Sequence, residues 1–130
     1  MSLDVSPQLL AEAESGPVRQ EDFVETVRTS LPYAYDLIAH LAAELHAGSV
    51  EFADNQTPPP SETERGQLLR ALSSDAIRGS LERHFEVALA FQNCHRVAVF
   101  RPEDRGGETH TRFTSPRAQI LNQSPELRDC

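Results

Sequence analysis

Seven apolar residues, Phe23, Val27, Leu31, Ala34, Ile38, Leu41 and Leu45, follow one another at steps of three and four, the spacing of one helix face. Pro32 falls inside that stripe. It has no amide hydrogen to donate and its ring crowds the preceding turn, so it divides the stripe into two helices. The pattern predicts a short helix over 20–29 and a longer one over 31–46, with Ser30 as the cap of the second and Gly48 as its stop. A further region of helical period places Leu68, Leu69, Leu72, Ala76, Leu81 and Phe85 inward. It opens behind Pro60 at a Ser61–Glu64 capping box, and Ser73-Ser74-Asp75 leaves open whether 62–85 is one helix or two. Ser6-Pro7 opens a short helix that Gly16-Pro17 stops, and Ser115-Pro116 opens another running to about Asn122.

From Glu86 the period changes to two. Val87, Leu89 and Phe91 alternate with Ala88 and Ala90, and Val97 and Val99 alternate with Arg96, Ala98 and Phe100. Gln92-Asn93-Cys94 is either a tight connection between two strands or the middle of one long strand. Gly106-Gly107 marks a turn, after which Thr109 to Thr114 reads as a strand that pairs back. Residues 50–60, VEFADNQTPPP, read as a Pro-rich loop whose three prolines favour an extended polyproline conformation. The expectation is a single α+β domain over 1–130, mainly helical. It has four or five helices, with 31–46 packed on 62–85, and a short two- or three-stranded antiparallel element in the C-terminal third. Residues 1–5 and 123–130 are expected to be mobile.

Charge narrows the partners. Twenty acidic residues against twelve basic ones give a net charge of −8, and the arginines are scattered singly, so no basic stripe is present for nucleic acid. All twelve basic residues are arginine. Without lysine there is no Walker-type phosphate loop, no Schiff base and no lysine general base. The opening MSLDVSPQLLAEAESG has neither the basic start nor the apolar run of a signal peptide, and no apolar run is long enough to span a membrane. A cytoplasmic protein with its two cysteines reduced is expected.

The stretches EFADNQTPPP (51–60), QNCHRVAVF (92–100) and NQSPELRDC (122–130) resemble a small family of hypothetical proteins from streptomycetes and related actinobacteria, over essentially the whole chain. The resemblance implies an actinobacterial origin and a cytoplasmic compartment. It implies no mechanism, and no site residue comes with it.

Candidate chemistry is sparse. Cys94 and His95, with Cys130, supply thiolate and imidazole of the kind that a transition metal such as zinc takes, but their spacing matches no zinc pattern. Strand neighbours also point to opposite faces, so the competing reading is a Cys94 packed as a small hydrophobe and a His95 bonded locally. A nucleophilic Cys94 needs a base such as His84 or His110 and an orienting third group, and none is identifiable. A Cys94–Cys130 bridge competes with two independent reduced thiols. His40 and His46 lie roughly 120° apart around a helix and cannot share an ion. The acidic pairs fall in loops and first helical turns, where negative charge is stabilising.

Interaction residues are easier to name. Pro58, Pro59 and Pro60, with Phe52, form a stiff segment that suits an aromatic-lined partner, or else a connector anchored by Phe52. Val24, Tyr33, Tyr35 and Leu37 lie off the apolar stripe and need partners of their own. A symmetric homodimer formed around Tyr33 and Leu37 supplies them, unless Ile120 and Leu121 of the last helix fold back over the same residues. The leading expectation is therefore a non-enzymatic, cytoplasmic regulatory or protein-interaction protein with no cofactor. It forms a homodimer, with a further protein partner admitted and neither nucleic acid nor membrane. The alternative is a thiol- or metal-responsive protein using Cys94, His95 and Cys130. A small enzyme of unknown class ranks third.

Overall fold

Pro32 divides the apolar stripe as expected. In the computed structural model, which describes residues 2–92 and 96–122, helix α2 (Gln20–Ser30) ends at Leu31 and α3 (Pro32–His46) starts with Pro32 as its first residue. Val27, Leu31, Ala34, Ile38 and Leu45 are fully buried, so the stripe is the centre of the core. Each large aliphatic side chain among them contributes about 1.5–3 kcal/mol by leaving water. Phe23 is half-buried at the margin of the same cluster.

Serine caps set most helix starts. Ser6 accepts from Leu9 N (3.1 Å) at the head of α1 (Pro7–Ser15), and Ser61 accepts from Glu64 N (3.3 Å) at the head of α4 (Glu62–Ser73). Ser74 accepts from Ile77 N (3.3 Å) and opens α5 (Asp75–Phe85), which makes 62–85 two helices. Two further helices, α6 (Glu108–Phe113) and α7 (Pro116–Leu121), follow a 3-10 turn at Pro102–Asp104. Seven α-helices and three strands thus stand among the described residues, and none of those helices is long and apolar enough to cross a membrane.

The period-two region forms two strands, β2 (Ala88–Gln92) and β3 (Arg96–Phe100), paired antiparallel with Gln92 opposite Arg96. The third strand comes from the stretch read as loop: β1 (Phe52–Asp54) pairs antiparallel with β3, Phe52 opposite Phe100, giving the order β1-β3-β2. Three residues are too few for a period to show, and the prolines begin only at Pro58, beyond the ladder. The front of the sheet (Ala53, Leu89, Val97 and Val99) joins the core of α2 to α5. The back carries Phe52, Ala88, Ala90, Ala98 and Phe100, with Phe113 of α6 against it.

Other expectations are corrected. The 109–114 segment is helical, although its threonines favour a strand: Gly106 turns the chain at φ 79°, Glu108 opens the helix, and Arg112 sits in its last turn, which suits the helix dipole. Leu69 is 49% exposed and Ala76 is also exposed, because Gln67, Leu68, Ala71 and Leu72 take the inward face of α4 and Ile77 that of α5. Ser30 does not cap α3; its hydroxyl accepts from Asp4 N (2.8 Å).

Candidate interaction groove

The first turn of α3 is a construction problem. Helix starts leave backbone donors unpaired, and neither Leu31 nor Ser30 supplies an acceptor. Gln67, buried in α4, solves it: its Oε1 accepts from Tyr33 N (2.7 Å) and reaches Ala34 N (3.4 Å). This side chain fixes where α3 begins and hence where Tyr33 projects.

Tyr33 and Leu37, one turn apart and both half-buried, border a groove of about 620 Å³. Its other wall is the 52–60 segment, with Phe52, Pro58 and Pro60 among its lining residues. That wall is stitched by its own side chains. Asn55 N donates to Val97 O (3.3 Å), Val97 N donates to Asn55 Oδ1 (2.8 Å), and Gln56 Nε2 donates to Asp54 Oδ1 (2.6 Å). Pro59 is buried and holds the segment down, while Pro58 and Pro60 stay exposed. Phe52 is committed inward, stacked on Phe100 at 5.1 Å between ring centres. Burial pushes the Tyr33 phenol above its ordinary range, and the nearby Glu64 charge adds to the rise.

The remaining off-stripe residues find partners within the chain. Val24 is buried. Tyr35 packs on Phe85 (5.3 Å between rings) and its hydroxyl meets His84 Nε2 at 3.3 Å. Ile120 and Leu121 are 69% and 65% exposed, so they do not close over Tyr33 and Leu37.

Behind the sheet lies a polar chain that the sequence reading missed. Arg96 donates from Nε to Asp54 Oδ2 (2.8 Å) and from Nη1 to Asn122 Oδ1 (2.8 Å). Asn122 Nδ2 in turn donates to Gln92 Oε1, and Gln92 Nε2 donates to the Phe113 carbonyl. Gln92 is only 3% exposed, and the Arg96 guanidinium also sits 5.4 Å from the centre of the Phe113 ring. The signal was present in the alternation. Gln92 and Arg96 share the parity of Ala88, Ala90 and Ala98, and polar groups on a face of small residues imply a polar cover.

Cys94, His95 and Cys130 lie outside the described residues. Among the described residues no three His, Cys, Asp or Glu side chains cluster to hold a metal ion. His46 Nε2 meets Phe85 O (2.9 Å), His110 Nδ1 accepts from Gly106 N (3.2 Å), and His40 lines the groove.

No curated protein and no solved structure matches the chain. A family model does match, over residues 1–130. On that match, the chain belongs to the family described as the NucS shadow ORF.

Proposed function

We propose that this chain is a non-enzymatic protein-interaction module, and that the groove between α3 and the 52–60 segment receives a second copy of the chain. One observation carries the reading: Tyr33, Leu37, Pro58 and Pro60 border a single groove, while α7 leaves Ile120 and Leu121 exposed rather than folded over it. Tyrosine suits such a surface because its ring is covered while its hydroxyl keeps a polar contact. Proline rings add contact area with little freedom left to lose, which lowers the ordering cost of binding. A closed twofold pair is the commonest assembly of this kind.

The family description names a reading frame and no activity, substrate or partner. The experiment therefore begins by detecting the polypeptide in cells with an antibody, and then measures the mass of the purified chain by light scattering. The proposal expects twice the 14.4 kDa chain mass, falling to one chain in a Leu37→Glu variant that keeps its helical circular dichroism. A single-chain mass at high micromolar concentration rejects it.

A further inference from the structure

A second cleft, of about 300 Å³, opens on the back of the sheet between Phe52 and the α6–α7 pair. Its apolar lining comes from Phe52, Phe113 and Leu121, and its rim carries Arg96, Arg112 and Arg117. Three of twelve arginines thus meet at one small opening in a chain of net charge −8.

The three differ in what neutralises them. Arg96 is tied to Asp54, whose side chain is 8% exposed. Arg112 pairs with Glu108 across one helical turn at 3.1 Å, both side chains largely in water, where such a pair holds weakly. Arg117 has no ion pair among the described residues. Among the described residues the rim therefore has one cation outside any ion pair, a second held only by an exposed pair, and an aromatic and aliphatic floor. The volume is at the small end of ligand pockets, which run from roughly 300 to 1,000 Å³.

We infer that this cleft binds a small amphipathic carboxylate, its apolar body against Phe52, Phe113 and Leu121 and its carboxylate at Arg117, with Arg112 joining from the rim. Guanidinium and carboxylate match in a planar, two-pronged geometry, so an arginine rim selects this anion over a neutral alcohol of equal length. The fixed Arg96, held by Asp54 and Asn122, gives the floor a rigid edge and spends its own charge inside the protein. The cleft shares Phe52 with the lining of the α3 groove and otherwise draws on different residues.

The test uses the purified full chain and titrates it with octanoate, octanol and octylamine, read by chemical-shift changes of aromatic and methyl protons and by melting temperature. Saturable octanoate binding is expected. Arg117→Glu should weaken it about tenfold or more, the loss typical of one charge-assisted contact, while leaving the melting temperature of the free protein unchanged, since Arg117 is exposed. Ala118→Phe, which fills the cleft, should abolish binding and serves if the charge reversal disturbs folding. Octanol binding as tightly as octanoate, unchanged binding in Arg117→Glu, or no saturation at millimolar octanoate would each overturn the assignment. Binding of the chain to anionic lipid vesicles without binding of octanoate would overturn it as well.

Discussion

The two faces of the sheet are closed by different physics. On the front, Ala53, Leu89, Val97 and Val99 merge with aliphatic side chains from four helices, and many contacts share the work. On the back, closure rests on the Phe52–Phe100–Phe113 cluster and on the single file of Asp54, Arg96, Asn122 and Gln92. Aliphatic packing is non-directional and tolerates repacking. A polar file is directional, and removing one member takes a hydrogen bond from each of its neighbours. The back should therefore be the more fragile face, and the front the one that can spare a helix surface for association.

Phe100 is the point where the contrast is most exposed. It is fully buried and touches Phe52, Phe113 and His110, so Phe100→Ala should cost about 3–5 kcal/mol in a denaturant titration. A comparable loss from Val99→Ala would erase the difference between the faces. Asp54→Ala removes the anion paired with the Arg96 guanidinium, which is about one-third exposed and keeps its bond to Asn122, so a loss of about 1–2 kcal/mol is expected. Substituting Leu for Gln67 leaves the amide donors of Tyr33 and Ala34 without their acceptor, at about 1–3 kcal/mol, and should loosen the start of α3 in amide exchange.

The smallest effect is alkaline. The Tyr33 phenol is held above its ordinary value, mainly by burial, so its stabilising share is intact below about pH 10 and is lost as pH climbs through the folded value. With two tyrosines and no tryptophan, phenolate absorbance reads this directly, and Tyr33→Phe identifies the component. If Tyr33 is covered by a second chain, its titration should move further up as protein concentration rises. Identical curves at all concentrations would separate the phenol from any interface.

Much of the helical architecture was legible because its determinants are local. Pro32, Ser6, Ser61, Ser74 and Ser115 each mark a helix start in the sequence and again in the structure. What escaped was set at long range. β1 exists because β3 offers it a ladder, and three residues carry no period of their own. Gln67 carries no local signal; its role depends on Tyr33 of α3, 34 positions away in sequence. The 108–113 segment was misread because its threonines outweighed the Gly106 turn and the charges that favour a short helix. At the groove, Tyr33 and Leu37 drew notice as apolar residues off the stripe, whereas Asn55 and Gln56, which hold the opposite wall, act through bonds that no spacing announces.

The proposed dimer places α3 and the 52–60 segment in a surface used between copies of this chain. Amide hydrogen exchange, resolved by peptide and compared between dilute and concentrated protein, tests it most directly. Peptides covering 33–40 and 52–60 should gain protection as concentration rises, while those of β3 and α6 stay unchanged. Protection that is independent of concentration everywhere, or that rises only over 108–121, would contradict the account.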